Sequence, residues 1–272
     1  MGIGGDLMWT ALANELYEKN GKKVCFYKNS NHVLKKDIWE NNPNIVFNFD
    51  KSKYNVVNLQ FSVLPERETN SKWKVSKHSI VSRCEHFNVL NPKIKCYLYF
   101  TDEEIKYVES IVNELPKDFI VIEPHAKTSW YKHKQYPIQK WQNIVDNLHE
   151  KFPIVQMSIK GKKTLNNVID ISNKIRNFRE AACLIKYSKL FVSTEGGLMH
   201  ASNAVNTKSV IIFPAMFDPI FTTYDTVSDI WVKGDSHYNC FRDGDCLECR
   251  KLMSEHDENE IIKEVEKVYL NN

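Results

Sequence analysis

Leu190-Phe191-Val192-Ser193-Thr194-Glu195-Gly196-Gly197-Leu198-Met199-His200-Ala201-Ser202-Asn203-Ala204 carries an apolar run, a double glycine and a short helical pattern, and Ser209-Val210-Ile211-Ile212-Phe213-Pro214 follows as a second apolar run. Short apolar runs bounded by turn residues read as buried strands. The whole therefore reads as strand, glycine turn, helix, strand. Two adjacent glycines at a helix mouth let backbone N–H groups approach an anion closely, and the helix dipole favours negative charge there. Glu195 beside them suits sugar hydroxyls. A plain strand–helix connection would use the same residues, so the turn alone decides nothing.

Working outward, strand patterns alternate with helical ones. A helix is predicted over 7–19, with Leu7, Ala11, Leu12 and Leu16 on one face and Gly21 as its stop. Strands are expected at 24–27, 45–47 and 56–59, and the region 60–95 reads as largely irregular. Thr101 and Glu104 form a capping-box pair opening a helix over 102–115, which Pro116 ends. Further strands are predicted at 119–122, 154–158, 190–193 and 210–213. Helices are predicted over 138–148, 169–175, 180–187 and 258–270, the last with Ile261, Ile262, Val265 and Val268 inward. The pattern implies an α/β chain with a first half at 1–115, a second at 116–255 and a C-terminal helix at 256–272. Two such halves place a ligand in the cleft between them, at the carboxyl ends of the strands.

Bulk properties narrow the classes. The chain has 272 residues and 42% apolar residues, enough for two ordinary domains with real cores. With 37 Lys and Arg against 34 Asp and Glu, the formal charge of +3 does not argue for nucleic acid, though it admits peripheral membrane contact. No apolar run approaches the ~18 residues of a transmembrane helix. The start of the chain lacks the basic and apolar regions of a signal peptide. Seven cysteines, an odd number with four of them widely scattered, point to a reducing, cytoplasmic compartment.

Two further segments carry chemistry-bearing residues. Gly2-Ile3-Gly4-Gly5-Asp6-Leu7 reads as a second glycine-rich helix entrance, with Asp6 either its N-cap or a general base facing the cleft. Such a turn normally follows a strand, so a first N-terminal strand is expected to be missing. Glu123-Pro124-His125-Ala126-Lys127-Thr128-Ser129-Trp130-Tyr131-Lys132-His133-Lys134-Gln135-Tyr136-Pro137 joins a strand to a helix. It is either a solvated basic loop or a phosphate clamp, in which a cation meets the charge growing on a leaving diphosphate. Trp130 there is a candidate for stacking on a ligand, whereas Trp141 reads as buried helix packing.

Three segments, in order, resemble glycosyltransferase family 9, the heptosyltransferase-like enzymes. Gly5-Asp6-Leu7 resembles the family's opening of its first helix. Lys134-Gln135-Tyr136-Pro137-Ile138-Gln139-Lys140-Trp141 resembles its Lys-x-Trp-Pro-x-x-x-Trp pattern, with Tyr136 for the first Trp. Ser193 to His200 resembles its Ser-x-Asp-Thr-Gly-x-x-His signature, with Glu195 for Asp and Gly196 for Thr. The resemblance implies a GT-B-like architecture of two Rossmann-like domains facing across a cleft, the acceptor on the N-terminal side and the nucleotide sugar on the C-terminal side. It implies inverting, metal-independent transfer from a nucleotide-diphosphate sugar, heptose-like or other, to a saccharide or lipid-linked saccharide in surface polysaccharide synthesis, with no cofactor beyond the donor itself. Carried over, Asp6 is the base and Lys134 holds the departing phosphate. Lys127, Glu195, Gly196, Gly197, Leu198 and His200 bind the donor, and Gly4 and Gly5 line the acceptor side. Lys162 and Lys163 after Gly161 stand where the family often has an acidic residue, and read as exposed or phosphate-facing. The alternative is a non-catalytic nucleotide- or sugar-binding module on a degenerate GT-B frame.

His237, Cys240, Cys246 and Cys249 have the ligand types of a zinc site, but with one tight Cys-x2-Cys pair. Small-residue packing is the leading reading there, with metal binding and a redox pair as alternatives.

Overall fold

The computed structural model describes residues 2–29, 32–59, 66–67, 73–125, 131–159, 161–241 and 244–272. The first helix, α1 (Ile3–Asn20), starts before the apolar spacing announces it. Gly2 is its N-cap in extended backbone, Gly4 and Gly5 lie inside its first turn, and Gly21 closes it at φ 71°. The glycine-rich stretch 2–7 does open a helix, but the helix begins at Ile3 and not at residue 7; Gly4 and Gly5 lie in helical backbone with negative φ, and the cap is Gly2, not Asp6.

β1 (Val24–Lys28) pairs antiparallel with β2 (His32–Val33) and parallel with β3 (Asn55–Asn58), giving a three-stranded sheet ordered β2-β1-β3. Ile45 makes only a single bridge to Val24, so the strand expected at 45–47 does not form. β4 (Glu66–Arg67) and β5 (Trp73–Lys74) make a separate two-stranded ribbon. Inside the region read as irregular lies α2 (Ser79–His86). Its N-cap is His78, whose Nδ1 accepts from the Ile80 N–H at 3.0 Å. Histidine is not among the usual capping residues, so the start carried no recognisable signal.

α3 (Asp102–Val112) has the complete Thr101–Glu104 capping box. Glu104 also takes Arg179 across to the second half, Nε to Oε1 at 2.5 Å. The chain then runs through β6 (Ile120–Glu123), α4 (Ile138–Leu148), β7 (Ile154–Gln156), β8 (Ile169–Asp170), α5 (Phe178–Tyr187), β9 (Leu190–Thr194), α6 (Gly197–Ala204), β10 (Ser209–Pro214) and β11 (Val227–Val232), and these six strands form the larger sheet. α7 (Leu247–Glu255) and α8 (Glu258–Leu270) close the chain. The helix expected over 169–175 is instead the two-residue edge strand β8, too short to show a strand period. β11 and α7 had no expectation at all.

This sheet is parallel throughout, in the order β11-β10-β9-β6-β7-β8. Side chains alternate between its faces. Val121, Phe191, Ile211 and Phe213 join one core with α1, α5 and α6, and that core is continuous with the first sheet. Ile120, Ile122, Leu190, Val192, Val210 and Ile212 join a second core under α4 and α8, which holds Trp141. Burial on both faces is why β9 and β10 read as unbroken apolar runs. β6 and β9 run side by side while the chain winds away from them in both directions. Their carboxyl ends therefore mark a topological switch point, the place where sheets of this kind leave a crevice.

The two halves touch most closely where α1 meets α6. A Cβ on Gly4 would lie 2.4 Å from His200 Cδ2 and 3.3 Å from Gly197 Cα, and one on Gly197 would lie 3.1 Å from Phe178 Cε2. Here glycine is required by close approach. Replacing Gly4 with Ala is expected to push α1 off α6 and destabilise the protein by about 1–3 kcal/mol, the usual cost of overpacking, read as a lower urea midpoint.

β6 ends on Glu123, opposite Ser193 of β9. Burial pushes its carboxyl up to about 8 from an ordinary 4.5, opposed in part by the His125 N–H it accepts. A raised native pKa means that the folded chain keeps a proton the unfolded chain has already lost, so stability falls as pH rises between those two values. Glu123→Gln should remove this slope. The variant gains stability over the parent from about pH 5 to about pH 8 in denaturant melts, and an unchanged difference would rule out the raised carboxyl.

Candidate functional site

Lys134 ends a short 3-10 turn, Lys132–Lys134, between β6 and α4. Glu195 and Gly196 follow β9, and Gly196 is the N-cap of α6 in extended backbone, contributing no side-chain acceptor. The two loops leave the adjacent carboxyl ends of β6 and β9, which brings Lys134 and Glu195 into a direct ion pair. The ammonium also stands over the rings of Tyr131 and Phe217, at 5.1 and 5.2 Å from their centroids. The sequence pattern puts Lys134 on a phosphate and Glu195 on a sugar; in the folded protein the two hold each other.

His200, one turn into α6, is buried, and its ring meets Gly4 of α1. Its Nδ1 and the Tyr224 hydroxyl are 2.5 Å apart, and the same hydroxyl lies 3.2 Å from Cys96 Sγ. Burial, then the neighbouring His78, Arg83 and Lys134, depress the imidazole to about 3, so it is neutral. A neutral ring held by a tyrosine supports the turn without adding charge. Leu198 is partly buried against the core beside it.

Asp6 lies two residues beyond Gly4. Its carboxylate is 3.3 Å from Lys36 Nζ, and its carbonyl accepts from Trp39 Nε1 at 2.9 Å. Burial raises the Asp6 carboxyl above the ordinary aspartate value by more than Lys36 lowers it. The Gly5 carbonyl accepts from Arg83 at 3.1 Å, and the Arg83 guanidinium stacks 4.4 Å over Trp9. Neither His78, Arg83 nor Tyr224 was singled out from sequence. Each is isolated in the chain, and only the packing of α2 and of the stretch before β11 against α1 and α6 brings them together.

The site thus gathers the N-terminal ends of two helices, each with a positive dipole end, plus Lys134, Lys36 and Arg83 around two carboxylates. Cations and helix N-termini in such an arrangement favour an anionic ligand. Lys127 and Trp130 lie outside the described residues. Lys162 and Lys163 are exposed, and the Lys163 carbonyl lies 2.9 Å from His125 Nε2. His237, Cys240, Cys246 and Cys249 gather separately, at the start of α7 beside the Lys132–Lys134 turn.

Solved structures share the fold. A glycosyl transferase family 9 protein from Veillonella parvula DSM 2008 superposes with a TM-score of 0.72 at 13% identity, covering 100% of this chain and 96% of that one. The iron-containing dodecameric glycosyltransferase TibC from enterotoxigenic E. coli H10407 does so with a TM-score of 0.65 at 12% identity, covering 98% of this chain and 74% of that one. TibC in complex with ADP-D-beta-D-heptose gives 0.64 at 13% identity over the same shares. No curated protein matches the chain in sequence. The neighbours are GT-B glycosyltransferases, and the mixed α/β fold with its parallel sheet agrees with them. No helix among the described residues is long and apolar enough to cross a membrane. The sequence profile of glycosyltransferase family 9 (heptosyltransferase) matches residues 19–251, most of the chain, so the chain belongs to that family.

Proposed function

We propose that the protein is an inverting glycosyltransferase that moves a heptose-like or other sugar from a nucleotide diphosphate to a saccharide or lipid-linked saccharide, at the cytoplasmic side of surface polysaccharide synthesis. The observation that carries this reading is the meeting of Lys134 with the Glu195-Gly196-Gly197 turn at the switch point of a parallel sheet. A structural neighbour holding ADP-D-beta-D-heptose supports a nucleotide-sugar donor. Residues 1–115 form the acceptor side in this proposal, and residues 116–255 the donor side.

In the proposed reaction the acceptor hydroxyl oxygen attacks the anomeric carbon from the face opposite the diphosphate. The bond from that carbon to the diphosphate oxygen breaks, its electron pair stays on the diphosphate, and Asp6 takes the hydroxyl proton. The raised carboxyl of Asp6 makes it a better proton acceptor than an ordinary aspartate. Lys134 and the amides opening α6 meet the growing charge on the leaving group without a metal in the step. Glu195, released from Lys134, faces the sugar hydroxyls, and Gly4 and Gly5 leave room on the acceptor side.

Turnover is read as nucleotide diphosphate released from a panel of ADP, GDP, UDP and CDP sugars with saccharide acceptors. Asp6→Asn should lower turnover about 10²–10⁴-fold while ADP still raises the melting temperature. Retention of full turnover in that variant excludes Asp6 as the base. In the parent, kcat/KM should fall on the acid side, because the base must be unprotonated. That fall should centre above 3.8, the ordinary aspartate value. Lys134→Ala should lower kcat about 10²–10³-fold, as loss of one charge-stabilising group does elsewhere. An unchanged kcat would remove Lys134 from the leaving-group role.

A further inference from the structure

Three thiols and one imidazole converge at the start of α7. Cys246 is its N-cap, Cys249 lies in its first turn, and His237 and Cys240 come from the stretch after β11. Their ligand atoms all lie within 4.8 Å of one another. His237 Nε2 is 3.2 Å from Cys249 Sγ and 3.4 Å from Cys246 Sγ, and Cys240 Sγ is 3.6 Å from Cys249 Sγ. Two thiolates about 2.3 Å from one tetrahedral ion stand about 3.8 Å apart, and a thiolate and an imidazole nitrogen about 3.5 Å apart. The three separations given lie within a few tenths of an ångström of those edges, and the remaining three stay within 4.8 Å. A disulfide would need sulfurs about 2.0 Å apart. Apolar packing would account for buried Cys246 and Cys249 against Ala215, but gives no reason for an imidazole nitrogen to face two sulfurs.

The cluster is tied to the segment that ends in Lys134. Gly244, between two of the four residues, forms a parallel bridge with Tyr131, and α7 packs on the Lys132–Lys134 turn. The Asn239 N–H donates to the Ala215 carbonyl at 2.8 Å and the Phe241 N–H to the Met216 carbonyl at 3.0 Å. Met216 Sδ touches His133 Nε2 at 3.3 Å, and the next residue, Phe217, lies under the Lys134 ammonium.

We propose that His237, Cys240, Cys246 and Cys249 hold one thiophilic tetrahedral metal ion, zinc or ferrous iron, and that this ion fixes the 131–134 segment. All four positions are filled by protein, so the ion is structural and has no open place for substrate. The metal assignment stands apart from the transfer reaction; only its consequence for a donor rests on the role proposed for Lys134.

Protein purified without chelator is assayed for zinc and iron by plasma mass spectrometry. About one ion per chain is expected, and the element found separates the two metals. Cys249→Ser and the half-buried Cys240→Ser should lose it, whereas Cys183→Ser, in α5, should keep it. Each variant is checked for native circular dichroism. Hydrogen exchange then compares loaded with chelator-stripped parent protein. Residues 131–134 should exchange faster once stripped, while β9 and β10 are unchanged. Absence of stoichiometric metal, or its retention in the Cys240 and Cys249 variants, overturns the site. Unchanged exchange at 131–134 overturns its link to that segment.

Discussion

The close approach of α1 to α6 is the constraint on which the rest of this molecule depends. Gly4 and the His200 ring fill the same space, and no side chain larger than hydrogen fits between them. This contact brings two helix N-termini together from opposite halves of the chain. The positive end of a helix dipole acts within about its first turn, so both helix ends act on the space around this contact. The arrangement needs negative charge for balance. Asp6 and Glu195 supply it in the free protein, each paired to a lysine.

Around that contact runs a buried polar network. Tyr224 bridges His200 and Cys96, the Cys96 N–H donates to Asn203, and the Tyr97 N–H donates to Thr10. The stretch at 96–97 thus stitches α1 to α6 through side chains of both. Buried polar groups are costly when unpaired, so each member fixes its neighbours' positions. His200 is kept neutral by this burial, and Arg83, though stacked on Trp9, is pulled down to about 10. The network serves geometry: it holds the Gly196-Gly197 turn against the helix that carries Asp6.

Long, regular elements were legible in the chain. The Thr101–Glu104 cap, the unbroken apolar runs of β9 and β10, the Trp141 helix and the Gly21 stop all formed as read, because each depends on its own local residues. Elements whose signal was short or unusual were missed. α2 begins at a histidine cap, β8 has two residues, and the helix over 3–6 is hidden behind glycines that usually disfavour it. Those glycines were read as a helix entrance lining the acceptor side. Their use at Gly4 is absence of bulk, which depends on a residue 196 positions away.

From its sequence alone this protein determined a parallel α/β architecture, the residues of its glycine turn and the family to which they belong, since strand runs, caps and turn motifs are encoded within a few residues of one another. Only the tertiary structure decided that Lys134 pairs with Glu195, that Arg83 and Tyr224 join the site, and that the ligand atoms of three cysteines and a histidine gather within 4.8 Å of one another. Those relations join segments far apart in the chain, and such contacts are set by how helices and sheets pack, which no local pattern records.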